Sequence, residues 1–386
     1  MPPPNTPDPY RRDAALPSPG RPPAVISRPM PGGYSGGSND LEWMLREAVR
    51  RGASDLHLTR NMPPIIRLDG RLVPLESAVL THDTCERVVK GMLSPEQRTR
   101  FNDEWELDLS LELPDVGRFR VNVHRERGTM EAAFRVVNDV IKPIRSLGLP
   151  SVLEELARRN NGLMLVTGPT GSGKTTTLAA IVDQINHERD AMIVTVEDPI
   201  EYLHRNHRSI IKQREVSSDT LSFGRALRHV LRQDPDVIVI GEMRDLETIQ
   251  TALISAETGH MVYSTLHTPD AIQTIDRIVD VFPPNHQDQV RIQLANTLQG
   301  VLAQQLIPKP GDTGRAVAVE VLIATPAVRK TVRTGKTEQL MTIIQTSSEV
   351  GMISMDKSLK TLYIQGLIAF DDAISRCKFP EAFDQI

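Results

Sequence analysis

Cysteine is nearly absent: the chain holds only Cys85 and Cys377, far apart and outside any C-x-x-C pair. That excludes a disulfide framework and a cysteine zinc site, and leaves two ordinary thiols. Nowhere do about 20 apolar residues run together, as a membrane-spanning helix requires. The opening MPPPNTPDPYRRDAAL likewise lacks the apolar stretch of a signal peptide. The expected location is therefore cytoplasmic, with no direct membrane insertion. Basic excess is missing too, since the formal net charge is −4 and the pI about 6.2. A nucleic-acid partner is accordingly not expected. Residues 1–38 lack aliphatic runs and carry eleven prolines, a composition that cannot bury enough surface to offset its ordering entropy. This stretch is expected to be a disordered tail.

What is present suffices for two to three domains, given 386 residues and 39% hydrophobic content. From Asp40 the apolar positions Leu41, Met44, Leu45, Ala48 and Val49 follow helical spacing up to Gly52. β-type runs follow in ASDLHL, in IIRLDGRLVPL with Asp69-Gly70 as a tight hairpin, in GRFRVNVHRERG and in EAAFRVV. Residues 39–140 therefore read as a small α+β domain. The prolines and glycine of IKPIRSLGLPSVLEELARR suggest a linker over 141–160. Residues 161–386 follow, where the apolar runs LMLVT, AMIVTVE, DVIVIGE and HMVYSTLH alternate with helical stretches. That rhythm predicts an α/β fold with a mainly parallel sheet. From about residue 285 the pattern reads as helical, through QDQVRIQLANTLQGVLAQQLI and beyond.

The chemistry centres on Gly168-Pro-Thr170-Gly171-Ser172-Gly173-Lys174-Thr175-Thr176, a G-x-x-x-x-G-K-T phosphate loop set between a β-run and a helical run. Glycines let backbone N–H groups approach phosphate oxygens, and the helix N-terminus adds positive potential. Lys174 is placed to reach the β- and γ-phosphates, and the Thr175 hydroxyl to meet Mg²⁺. A nucleoside triphosphate is the expected ligand. In DVIVIGEMRD a strand delivers Glu242 to the carboxyl edge of the sheet, where it either holds Mg²⁺, directly or through water, or polarises the attacking water. Glu197-Asp198-Pro199-Ile200-Glu201 ends another strand, and one of its carboxylates is the candidate general base. His260 and His267 bracket a further strand. His267 is placed to sense the γ-phosphate or to orient the carboxylates, and no third ligand suggests zinc.

Taken in order, these motifs resemble the secretion-ATPase superfamily and, within it, the PilT-like retraction ATPases of type IV pili. The resemblance covers about residue 40 to the C-terminus. ASDLHL and GRFRVN look like that family's PAS-like domain, GPTGSGKTT its Walker A, EDPIE its Asp box, GEMRDLET its Walker B, and AETGH with STLHT its His box. The resemblance implies a P-loop NTPase (RecA-like) core, ATP and Mg²⁺ as ligands, Glu201 as catalytic base, Glu242 as the Mg²⁺-linked carboxylate and His267 as γ-phosphate sensor. It further implies a homohexamer in which arginines of a neighbouring N-terminal domain reach the phosphates, with Arg120, Arg127 and Arg135 as candidates. Also implied are the pilus machinery, an inner-membrane platform protein and a paralogous retraction ATPase as partners, and a place at the inner face of the cytoplasmic membrane. The four-cysteine insertion of extension and type II secretion ATPases is missing, which favours retraction over those alternatives. Pilus extension or type II secretion is the first rival, and a RecA-like nucleic-acid motor the second. The element TPAVRKTVRTGKTEQL resembles the retraction family's TPAIRNLIREGK. Its Arg329 and Arg333, four apart on one expected helix face, read as exposed, force-transmitting residues.

Overall fold

In a computed structural model, which describes residues 38–380 apart from 69 and 313, two sheets of opposite character carry the chain. The first is wholly antiparallel, with β1 (Asp55–Leu58), β2 (Ile65–Leu68), β3 (Arg71–Pro74), β4 (Leu107–Leu113), β5 (Gly117–Glu126) and β6 (Thr129–Val136) in the order β3-β2-β1-β6-β5-β4. Alternation sorts the faces: Phe119, Val121 and Val123 are buried on one side of β5, while Arg118 and Arg120 point to the other. Against the apolar face pack α1 (Ser38–Arg50), through Leu41, Met44, Leu45 and Ala48, then α2 (His82–Met92) and α3 (Pro95–Glu104). The expected spacing of α1 is thus the spacing of its buried stripe. α2 and α3 were not foreseen; α3 starts at a capping box between Ser94 and Gln97 and inserts Phe101 into the core. Gly70 turns the β2–β3 hairpin at φ +80, while its predicted partner Asp69 and the proline-rich tail up to residue 37 lie outside the described residues.

The stretch 141–160 is more than a connector. It forms a 3₁₀ turn (Ile144–Leu147) and α4 (Val152–Ala157), and buries Ile144, Leu149, Leu153 and Leu156 with Met164, Val166, Ile181 and Tyr263 of the second domain. Full burial of such a side chain contributes about 1.5–3 kcal/mol. This segment is therefore part of the second core, and its prolines redirect the chain without freeing it.

That core surrounds the second sheet. In chain order come β7 (Gly162–Thr167), α5 (Lys174–Glu188), β8 (Met192–Glu197), β9 (Ile210–Glu215), α6 (Phe223–Val230), β10 (Val237–Ile240), α7 (Leu246–Glu257), β11 (Met261–Leu266), α8 (Ala271–Asp280), α9 (Pro284–Thr297), β12 (Leu298–Pro308) and β13 (Arg315–Ile323). The sheet runs β13-β12-β7-β11-β10-β8-β9, parallel throughout except for the antiparallel β12–β13 pair. β7, β10 and β11 are buried on both faces, which is why they read as unbroken apolar runs. The α/β reading holds, with a RecA-like parallel core behind a small α+β domain.

Beyond β13, helices α10 (Pro326–Arg333), α11 (Leu340–Thr346), α12 (Met355–Ile364) and α13 (Phe370–Ile374) make up the helical C-terminal part. Two expectations change here. The run LQGVLAQQLI does not continue α9 but forms most of β12, because its residues pair with β7 on one edge and β13 on the other. Arg329 is not a free surface residue: its guanidinium donates to the carbonyls of Ala324 (3.0 Å), Ala295 (2.7 Å) and Asn296 (2.8 Å), closing the end of α9. A cation is favoured there by the helix dipole as well as by the orphan carbonyls. Arg333 is exposed and reaches the Asn296 side chain at 3.1 Å. No helix among the described residues is long and apolar enough to cross a membrane.

Candidate functional site: a phosphate-loop cleft

The phosphate loop lies where β7 hands over to α5, so the first amides of the helix face the cleft. Gly168 (φ +140) is obligatory, since a Cβ there would sit 2.3 Å from the Gln304 carbonyl oxygen and 2.7 Å from Ser172 Oγ. Gln304, on β12, ties the loop down: its Nε2 donates to Ser172 O at 2.6 Å, and its Oε1 accepts from Thr177 Oγ1 at 2.9 Å. Ser172 Oγ is buried without a partner in the protein. Such an orphaned hydroxyl beside a glycine cradle suits an incoming phosphate oxygen.

Lys174 Nζ lies 2.9 Å from Gly168 O, 3.0 Å from Pro169 O and 3.5 Å from His267 Nδ1. Burial pulls its pKa below the ordinary lysine value, against the attraction of Glu242 and Glu201. The far side of the same imidazole, Nε2, is 3.4 Å from Glu242 Oε2, and Arg244 holds Glu242 Oε1 at 2.7 Å. His267 therefore bridges the lysine of the phosphate loop and the carboxylate at the end of β10. His260, by contrast, is fastened to Ser255 O (2.9 Å) and Thr258 Oγ1 (3.2 Å) at the opposite end of β11.

Thr170, Gly171, Gly173, Lys174, Thr175, Thr176, Glu197, Asp198, Glu201, Glu242 and His267 line one cleft of about 430 Å³, within the size range of small-molecule sites. The Asp-box carboxylates divide by environment. Glu197 turns inward and accepts from Thr195 Oγ1 (2.7 Å) and Gln213 Nε2 (3.1 Å); burial still pushes its carboxyl upward. Burial and the nearby Glu242 also raise Asp198. Glu201 stands in the open part of the cleft, 3.8 Å from Arg120 Nη1, where water has access. Thr175 and Glu242 bring a hydroxyl and a carboxylate oxygen to the same cleft, a donor set that fits Mg²⁺.

The three arginines separate. Arg120, on β5, lines an adjoining cleft and approaches the phosphate-loop cleft of its own chain only through Glu201, at 3.8 Å. Arg135, on β6, pairs with Asp55 at 2.9 Å and lines that adjoining cleft beside Arg120. Arg127 occupies the β5–β6 turn at φ +45, with 80% of its side chain exposed, and the structure does not bring it to either cleft. Sequence reasoning had not assigned Gln304, Arg244 or Tyr202, whose hydroxyl meets Thr176 Oγ1 at 2.9 Å. Arg244 stood inside the quoted GEMRD run, but Gln304 carried no motif signal.

A glycine cradle, a lysine, a bridged carboxylate and a parallel sheet that presents them at its carboxyl edge define a P-loop nucleotide-binding core of the RecA type. The family model for Type II/IV secretion system protein matches residues 38–365, and the chain belongs to that family. It is 44% identical over 344 residues to the type IV pilus retraction ATPase PilT of Pseudomonas aeruginosa, covering 89% of this chain and 100% of that protein. It is 38% identical to the type IV pilus ATPase PilU of the same organism, over 87% of this chain and 88% of that one. A crystal structure of the pilus retraction motor PilT with bound ADP superposes with a TM-score of 0.82 at 45% identity, covering 89% of this chain and 98% of the other.

Proposed function

We propose that this chain is an ATP hydrolase whose turnover drives retraction of type IV pili, and hence twitching motility. The observation that carries the reading is the convergence of Lys174, Thr175, Glu201, Glu242 and His267 on one cleft, in a chain 89% of which matches the full length of a retraction ATPase. Thr175 and Glu242 would hold Mg²⁺, which when bound neutralises charge on the β- and γ-phosphates. Lys174 binds the phosphates, and Gly168, Gly171, Ser172 and Gly173 shape the loop around them. Glu201 orients water and accepts its proton, while His267 senses the γ-phosphate between Lys174 and Glu242. Arg120 stabilises developing charge from the N-terminal sheet, with Arg135 behind it.

The motor assembles as a homohexamer at the inner face of the cytoplasmic membrane, against a platform protein of the pilus machinery. A PilU-like paralogue is a further partner, consistent with the two P. aeruginosa relatives. Deleting the gene should leave cells with surface pili that do not retract. Loss of surface pili would instead assign extension, and turnover stimulated by DNA or RNA would assign a nucleic-acid motor.

A further inference from the structure

Glu215 ends β9 and has no part in the cleft chemistry above, yet its side chain is only 5% exposed. A carboxylate so buried is costly unless donors satisfy it. Those donors come from two domains. From the N-terminal sheet, Ser110 Oγ on β4 donates to Oε1, and Arg118 Nη2 on β5 donates to Oε2 at 3.0 Å. From the ATPase domain, the Ile200 N–H donates to Oε2 at 3.0 Å and Ser218 Oγ to Oε1 at 3.3 Å. Burial works against the charge, but the bonds from Ser110, Ile200 and Arg118 outweigh it and hold the carboxyl below its usual range. One ionised group is thereby bonded to the N-terminal sheet and to the amide immediately before Glu201.

The register reinforces the link. Glu215 pairs laterally with Glu197, the residue that opens the Asp box, so Glu215 and the turn at 198–201 sit on neighbouring strand ends. On the facing sheet, Arg118 and Arg120 are two residues apart and share one face of β5. Arg118 grips Glu215, while Arg120 lies 3.8 Å from Glu201. A single strand of the N-terminal domain thus addresses both the anchor of the turn and the carboxylate the turn carries.

We propose that Glu215 is a positioning residue which transmits docking of the N-terminal sheet to the 198–201 turn, placing Glu201 to activate water only while the sheet is docked. This rests on the reading of Glu201 as the base. Withdrawal of Ser110 and Arg118 leaves the buried carboxylate without its cation, and the turn loses the anchor that fixes Glu201. Hydrolysis in each subunit is then conditional on the pose of its own N-terminal domain, a direct route from domain movement to chemistry.

The test compares full-length, assembled Glu215→Gln, Arg118→Gln and the double variant with the parent protein and with Glu201→Gln. Glu215→Gln should lower kcat roughly 10- to 100-fold, the scale of a misplaced catalytic group. KM and the affinity for a fluorescent ADP analogue should stay within about twofold, because Glu215 does not touch the nucleotide. The double variant should be no worse than the poorer single, since both break one linkage. Should Glu215→Gln fail to assemble, Ser110→Ala keeps every charge and should show the same kcat-only loss in milder form. Parental kcat in Glu215→Gln beside an inactive Glu201→Gln, multiplying losses in the double variant, or KM rising as kcat falls would each overturn the inference. Parental turnover in Glu201→Gln would overturn the underlying reading of the base instead.

Discussion

Replacing Arg329 by alanine removes three hydrogen bonds at once, to the carbonyls of Ala324, Ala295 and Asn296. The Asn296 contact is exposed and water replaces it, whereas those of Ala324 and Ala295 are partly buried. At about 1 kcal/mol for each of the two partly buried bonds, and about 0.5 kcal/mol for a cation at a helix C-terminus, the loss is about 2–3 kcal/mol. Arg333 makes one exposed contact, to Asn296 Oδ1, so Arg333→Ala should cost within about 0.5 kcal/mol. Thermal unfolding of the purified variants at fixed nucleotide concentration separates the two. Arg329→Ala should fall by about 4–12 °C and Arg333→Ala by no more than about 2 °C, on a scale of about 2–4 °C per kcal/mol. Arg329→Lys should lie between, because an ammonium cannot span carbonyls from two segments. Superimposable unfolding curves for Arg329→Ala and the parent would refute the capping argument. The contrast matters for motility: Arg333→Ala is the clean probe of force transmission, and cells carrying it should keep pili and ATP turnover but fail to twitch.

Glu242→Gln should bind nucleotide normally and lose about 100-fold or more in kcat, which a coupled phosphate-release assay with a parallel binding titration resolves; parental turnover would remove Glu242 from the chemistry. Lys174→Ala should weaken binding itself by about 10- to 100-fold, the worth of a charged hydrogen bond to phosphate, and unchanged affinity would contradict its ground-state contact. Gly168→Ala must relieve a 2.3 Å approach to Gln304 O at a φ of +140, and should weaken nucleotide binding at least about tenfold. Its binding isotherm should overlay the parent's only if the loop adopts some other path.

Much of this site was legible because its parts are local. The phosphate loop, Glu242 and Glu201 each lie at a strand end whose apolar run is visible in one dimension, and a parallel sheet brings such ends to one edge. Residues that act across distance were not. Glu215 and Gln304 draw their meaning from partners 97 and 132 positions away, Arg118 and Ser172, and no spacing rule reaches that far. β12 escaped for another reason. Residues Gly300–Gln304 are buried without interruption, so period-2 alternation disappears, and no helix breaker separates the strand from α9. Gly300 was the available hint, since a Cβ there would come within 2.9 Å of Leu322 O. Arg329 was misjudged because a helical wheel shows which face a residue occupies, not what lies against it.

The place of β12 beside β7 has a consequence during synthesis. β7 is made early and carries the phosphate loop, yet one of its hydrogen-bonding edges is covered by residues 298–303, about 130 positions later. Its other edge waits for β11, about 100 positions on, so until residues 298–303 leave the ribosome the nascent chain holds an apolar strand, GLMLVT, with both sides unpaired at first and then one. At about 5–20 residues per second that interval lasts several seconds at least, long enough for intermolecular strand pairing. Truncations that stop before β12 should consequently aggregate rather than yield a smaller nucleotide-binding domain, and a chaperone that shields apolar strands has a defined window in which to act.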